Sequence, residues 1–281
     1  MNTFKIKSYA KVNLALNVTG KTAKLHKIES IITFVNLHDS IFLKEIFNKT
    51  HKIFFKGKFS KNINKINTVT NLFKLLDKKK LLKNKKFEIK IIKNIPQKSG
   101  MGGGSMNAAS LINFFVKKKI LKMKKNEIIK LANSIGSDVI LGINPSISIL
   151  CSNGVIKKFK KNINLYTLIV KPNFGCSTSF IYSKIKKFSK SQFNFPKKEM
   201  FKTKYLKDLN NDLEDVAFKK HPNLKKIKLF LKNTANSKFV RMTGSGSSIV
   251  AYFQSKGACV DAYIQFKRKF KSHWCIISKT I

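Results

Sequence analysis

The segment Pro96-Gln97-Lys98-Ser99-Gly100-Met101-Gly102-Gly103-Gly104-Ser105-Met106-Asn107 puts four of the chain's thirteen glycines within five positions. Lys86–Ile92 before it alternates polar and apolar residues, which predicts a half-buried strand. Ala108–Val116 after it is apolar and opens with small residues, which predicts a buried helix. Glycine has no Cβ, so its backbone N–H groups can approach a bulky anion closely. The start of a helix adds unpaired N–H donors and the positive end of the helix dipole. Together these features make a phosphate cradle, the chemistry of a nucleotide enzyme. Taken alone, the same glycines also fit a flexible turn or a tight helix–strand joint. No Gly-Lys-Ser/Thr closes the loop, and Ser105 stands where a dinucleotide fingerprint requires its last glycine.

Three further stretches frame this loop. Lys11 stands in Ser8-Tyr9-Ala10-Lys11-Val12-Asn13-Leu14-Ala15-Leu16, within Phe4–Val18, which is read as strand. Asp138 stands in Ile135-Gly136-Ser137-Asp138-Val139, after a helix over Glu127–Ile135 that ends at Gly136. A second glycine loop, Met242-Thr243-Gly244-Ser245-Gly246-Ser247-Ser248, runs into the apolar strand Ile249–Phe253. Each has a plain alternative on its own: a solvated lysine, a helix N-cap aspartate, a turn into a core strand.

The supporting elements follow from periodicity. Ile28–Val35 and Asp39–Glu45 read as two strands, residues 56–67 as a polar surface loop, and Thr70–Leu82 as a helix. Residues 147–170 read as strands broken at Asn153-Gly154, and Lys184–Lys204 as a long exposed basic connection. Helices are expected over Asn211–Phe218, Leu224–Leu231 and Gly257–Phe270, with a last strand over Trp274–Ile277. A polar, lysine-rich patch at Lys157–Asn162 marks the expected boundary between domains 1–157 and 158–281.

At 281 residues and 43% hydrophobic content, with 24 Phe, the chain can bury a substantial core. Met1–Ala10 lacks the apolar stretch of a signal peptide, and no apolar run approaches the roughly 20 residues of a membrane span. Cys151, Cys176, Cys259 and Cys275 are far apart with no CxxC pair, which points to reduced thiols in a cytoplasmic protein and to no zinc site. The formal net charge of +45 raises nucleic acid as a partner. Against that, only Arg241 and Arg268 are arginines, and Arg is the residue suited to bidentate phosphate and guanine recognition. The lysines are spread throughout and accompany abundant Ile, Asn and Phe, all with A/T-rich codons, so the composition is read as mutational bias. A coding sequence of ordinary base content would refute that reading.

In order and spacing, Lys11 with Asn13, the loop at 96–106, Asp138 and the loop at 242–248 resemble the GHMP kinases, the superfamily of galactokinase, homoserine kinase and mevalonate kinase. Asn211-Asp212-Leu213-Glu214, and Lys171-Pro172 followed by Ser177-Thr178, are similar to its branch that phosphorylates 4-diphosphocytidyl-2-C-methyl-D-erythritol in the non-mevalonate isoprenoid pathway. The resemblance covers nearly the whole chain. It implies an α+β fold of two domains, the first like ribosomal protein S5 domain 2 and the second ferredoxin-like. It implies Asp138 as the catalytic base and Lys11 as the ammonium that keeps it ionised. Pro96, Gln97, Lys98, Ser99, Gly100, Met101, Gly102, Gly103, Gly104, Ser105 and Met106 would hold ATP, with Ser105 reaching the phosphates or Mg²⁺. Asn13, His26, Thr243, Gly244, Ser245 and Gly246 would meet the acceptor, His26 at its cytidine end, and Asn67 would lie near the adenine.

The chain departs from the branch at three places. Ala23-Lys24-Leu25-His26 replaces Asp-Gly-Tyr-His, Met106 replaces a second serine, and Ile140 replaces a proline. Homoserine and mevalonate kinases are the nearest rivals, and His26 and Asn211–Glu214 speak against them. A basic nucleic-acid-binding protein would explain the charge but not two glycine loops around a lysine and an aspartate.

Overall fold

A computed structural model describes residues 2–23, 25–160, 163–234 and 236–281. Lys24 of the His26 segment, and Lys161 and Asn162 of the expected boundary patch, lie outside the described residues. The elements in order are β1 (Phe4–Lys21), β2 (His26–Ile46), β3 (Lys52–Lys56), α1 (Thr68–Lys78), β4 (Lys86–Ile92), α2 (Gly103–Lys117), α3 (Lys125–Ile135), β5 (Ser148–Leu150), β6 (Ile156–Lys158), β7 (Tyr166–Lys171), α4 (Thr178–Ser183), α5 (Thr203–Lys207), α6 (Leu213–Lys220), α7 (Pro222–Lys232), β8 (Ser237–Met242), β9 (Ile249–Phe253), α8 (Lys256–Lys269) and β10 (Trp274–Lys279). The mixed α+β content expected from the sequence is present.

The chain divides into two compact units that are discontinuous in sequence. The first comprises Met1–Ala10, Leu37–Pro96 and Gly102–Pro145, and the second Lys11–Asn36, Gln97–Met101 and Ser146–Ile281. In the first unit the C-terminal part of β2 pairs antiparallel with β4 (Ser40 opposite Ile92), and β4 pairs parallel with β3. Its core joins Ile41, Leu43, Phe87, Ile89 and Ile91 from the strands to Leu72 and Leu76 of α1 and Leu111, Ile112 and Phe115 of α2. In the second unit the N-terminal part of β2 pairs with β5, and β5 with β6. A separate antiparallel sheet runs β10–β7–β9–β8. Helices α6, α7 and α8 supply Leu213, Leu224, Ile227, Leu231 and Phe266 to the core around that sheet.

Several elements differ from the sequence reading. The two strands expected at 28–35 and 39–45 are one strand of 21 residues, β2. Asn36-Leu37 continues the alternation, exposed then buried, with no Gly or Pro to break it. β3 was hidden because a five-residue edge strand carries little periodic signal. α1 ends at Lys78, four residues short of Leu82, and α2 starts at Gly103, five residues before Ala108.

The basic stretch at 184–204 buries Phe193 and Phe201 rather than lying exposed. Glu29 holds it, accepting from the Ser191 hydroxyl at 2.7 Å and from the N–H groups of Gln192 and Phe193 at 2.8 and 3.0 Å. That anchor is more than 160 residues away in sequence, beyond any local pattern. The four cysteines are free and buried. Burial pushes the Cys176 thiol to about 11 and Cys259 to about 12, which keeps both protonated at neutral pH.

Candidate active site

In the first unit, β4 delivers the chain to Pro96 and α2 leaves from Gly102. Gly102 is the N-cap of α2 with φ +66°, a left-handed conformation that glycine adopts without penalty, and no side chain caps the helix. The first turn of a helix leaves its N–H groups without intrahelical acceptors. No acidic residue occupies this first turn, so those donors are available to an anion. A Cβ on Gly103 would lie 3.0 Å from Ile95 Cγ2 and 3.3 Å from Lys93 Nζ, and one on Gly104 would lie 3.0 Å from Thr68 Oγ1. A side chain at either position would have to push these neighbours back by a few tenths of an ångström, and Lys93 and Thr68, which the sequence reading passed over, border the cradle. Met106 N–H donates to Gly102 O at 2.9 Å, and its thioether sulfur lies 3.0 Å from where a Cβ on Gly142 would fall.

Asn67, expected near the adenine, is the N-cap of α1. Its Oδ1 accepts from the N–H groups of Val69 and Thr70, and its amide donates to Asn64 O. Asp138 precedes a short 3-10 turn, Val139–Gly142, and its side chain does not cap that turn.

In the second unit the two glycine loops interlock. Ser247 N–H donates to Lys98 O at 3.3 Å, Ser248 N–H to Ser99 O at 3.2 Å, and the Thr243 hydroxyl to Gly100 O at 3.3 Å. Gly100 has φ +74°, and a Cβ there would lie 1.9 Å from Thr243 O. Lys11 is 4% exposed, so it is no solvated surface lysine. Its N–H donates to Met101 O at 3.2 Å and its ammonium to Asn13 Oδ1 at 2.9 Å. Asn13 donates its N–H to Thr243 Oγ1 at 3.0 Å and its amide to Ser30 Oγ at 2.8 Å. The fold thus gathers Lys11, Asn13, Lys98–Met101 and Thr243–Ser248 into one hydrogen-bonded group. Ser245 bonds to Thr178 through their hydroxyls at 2.8 Å.

The Asn211–Glu214 stretch explains how that group is held. Asn211 donates to Met242 O and Gly244 O at 2.8 and 2.9 Å, and Glu214 accepts from Met242 N–H at 2.7 Å while paired with Lys228. Asp212 accepts from Val18 N–H at 2.7 Å in β1. Lys171 ties the turn after β7 by donating to Pro172 O and Phe174 O.

His26 opens β2, with its ring centroid 5.2 Å from that of Tyr182 in α4. Burial, with Lys21 nearby, lowers the His26 pKa and favours the neutral ring. The missing family tyrosine is Leu25, which is exposed, whereas Tyr182 supplies an aromatic ring from a distant element.

A family model described as GHMP kinases N terminal domain matches residues 67–150. A 4-diphosphocytidyl-2-C-methyl-D-erythritol kinase of Pelagibacter ubique (strain HTCC1062) is 66% identical over 281 residues, covering 100% of both chains. The chain belongs to the 4-diphosphocytidyl-2-C-methyl-D-erythritol kinase family of GHMP kinases. The family member of Anaplasma marginale (strain Florida) is 31% identical over 284 residues, covering 98% of this chain and 96% of that one. A crystal structure of 4-(cytidine 5'-diphospho)-2C-methyl-D-erythritol kinase matches with TM-score 0.79 at 20% identity, covering 98% and 99% of the two chains. Homoserine kinase from Cytophaga hutchinsonii matches at 0.71 and 15% identity, covering 100% and 95%. At such identities these structural matches speak for the GHMP kinase fold, while the full-length Pelagibacter relative speaks for the branch. No helix among the described residues is long and apolar enough to cross a membrane.

Proposed function

We infer that this chain is an ATP-dependent cytoplasmic kinase that transfers the γ-phosphoryl group of ATP to the 2-hydroxyl of 4-diphosphocytidyl-2-C-methyl-D-erythritol. The observation that carries the reading is the open, uncapped N-terminus of α2, free of acidic residues, in a chain with full-length kinship to a kinase of that name. The cradle suits the triphosphate: Gly103, Gly104 and Ser105 would offer backbone donors, with the helix dipole favouring negative charge. Ser105 would also hold Mg²⁺, whose contribution is to neutralise charge on the transferring group. Pro96 to Met101 would line the rest of the loop.

Asp138 would act as the base. Its carboxylate takes the proton of the acceptor hydroxyl, the hydroxyl oxygen forms the new bond to phosphorus, and the bond to the β-phosphate oxygen breaks to release ADP. Lys11, its ammonium oriented by Asn13, would balance charge in the transition state. Residues 1–157 would carry this machinery, and 158–281 would supply Thr243, Gly244, Ser245 and Gly246 to the acceptor. His26, whose ring lies 5.2 Å from that of Tyr182, would meet the cytidine end of the acceptor.

The test is ADP release with Mg-ATP and the cytidylated acceptor, with homoserine and mevalonate as controls. Turnover only with the cytidylated acceptor, with Asp138→Asn folded and ATP-binding but inactive, is expected. Preference for homoserine or mevalonate would overturn the acceptor, and an active Asp138→Asn would overturn the base.

A further inference from the structure

The first unit buries a carboxylate that this chemistry does not use. Asp39, in β2, has no solvent exposure. Its Oδ1 accepts from the N–H groups of Asn94 at 2.7 Å and Ile95 at 2.8 Å. Its Oδ2 accepts from the Lys93 ammonium and, at 3.1 Å, from the Asn107 amide in α2. Four donors thus converge on one carboxylate, filling the acceptor sites that such a group offers. Three of the donors belong to 93–95, the segment that leads from β4 to Pro96, and the fourth to the second turn of α2. The carboxylate therefore ties both sides of the nucleotide loop to β2.

The position of Lys93 gives this tie a chemical consequence. Its ammonium lies 3.3 Å from where a Cβ on Gly103 would stand, beside the first turn of α2. It is 4% exposed. A buried cation at the positive end of a helix dipole is unfavourable by itself. Asp39 compensates it, and charge-assisted bonds to Oδ2 fix where the ammonium sits.

We propose that Asp39 is a positioning residue for the nucleotide phosphates. It locks Lys93 and the Asn94–Ile95 backbone, so that the first turn of α2 and the Lys93 ammonium form one fixed set of anion donors. The proposal rests on the reading of that turn as the ATP-phosphate site. Asp39 touches no substrate in this account and acts only through Lys93, Asn94, Ile95 and Asn107.

The test separates phosphate binding from the rest of the nucleotide. Asp39→Asn keeps an acceptor for the two backbone N–H groups but sets an NH₂ against Lys93 and Asn107. A double variant, Asp39→Asn with Lys93→Gln, removes both charges and carries the test if the single variant fails to fold. Dissociation constants for ADP and for adenosine are measured by calorimetry with Mg²⁺, alongside KM for ATP and for the acceptor. Expected are about tenfold weaker ADP binding, unchanged adenosine binding, a raised KM for ATP and an unchanged KM for the acceptor. A lowered Tm with ADP binding unchanged would overturn the proposal and leave Asp39 a residue of the fold alone. Equal losses for ADP and adenosine would overturn it too. If the unaltered protein binds no ADP, the ATP reading itself falls, an outcome distinct from any change confined to the variants.

Discussion

Gly100→Ala tests whether the interlocked loops are needed for catalysis. The added methyl would sit 1.9 Å from Thr243 O, 2.8 Å from Thr243 C and 3.2 Å from Gly246 N. All three are backbone atoms, so no side-chain rotation relieves the overlap. Ordinary van der Waals contact begins at 3.4 Å, so the Thr243 strand end must retreat from Gly100. A non-glycine residue at φ +74° costs about 1–2 kcal/mol, and overpacking of a close contact adds about 1–3 kcal/mol. Together these give a destabilisation of about 2–5 kcal/mol, a large share of the 5–15 kcal/mol typical of a folded protein. The retreat also stretches the Thr243 hydroxyl bond to Gly100 O and shifts the threonine that positions Asn13. Displacement of about 1 Å in positioning groups costs on the order of 100-fold in rate. Gly154→Ala is the matched control: its φ is +85°, but a Cβ there meets nothing within 4 Å. Urea denaturation and ADP-release kinetics on both variants decide the matter. Expected is a modest stability loss with normal kcat/KM for Gly154→Ala, and a larger stability loss with kcat/KM down about 100-fold for Gly100→Ala. Equal behaviour of the two variants would refute the claim that the close loop contact matters.

Stability should fall as pH drops below about 6.5. His26, His51, His221 and His273 all have pKa values lowered from 6.5, first by burial, so the unfolded chain binds more protons in that window and stability rises with pH through it. His51 gives the clearest case: Nδ1 accepts from Phe87 N–H at 3.0 Å and Nε2 lies 3.2 Å from Asp77, so protonation loses the Phe87 bond. Denaturation midpoints equal at pH 5.5 and 7.5 would contradict this. Glu29→Gln should cost about 1–3 kcal/mol and raise hydrogen exchange at 189–195, and unchanged exchange there would remove Glu29 as the anchor. Asn211→Ala loses bonds to Met242 O and Gly244 O and should cost about 2 kcal/mol, with KM for the acceptor raised in steady-state assays. A normal KM would detach Asn211 from the loop.

The expectation of nucleotide chemistry was legible in the sequence, because the glycines, the strand before them and the helix after them lie within about 30 consecutive residues and each is read through local backbone geometry. Periodicity placed β4, α3, α7 and β9 within two residues of their ends, since one face of each meets a core. The motif order around Lys11, Asp138 and Asn211–Glu214 was equally legible as a family resemblance, though it did not say what Asn211 or Glu214 holds.

Tertiary structure alone decided the rest. Lys11 looked like any of many lysines until burial against Asn13 and Met101 set it apart. Asp39, Glu29 and Tyr182 carried no signal, because their partners at 93–95, 191–193 and 26 lie far along the chain. The units are discontinuous because β1 and β2 each run through both, and a composition shift cannot register a chain that passes between compact units in mid-strand. Local pattern reports what each segment can do with its own backbone, whereas buried charge is tolerated only where distant donors converge, and that convergence exists only once the chain has folded.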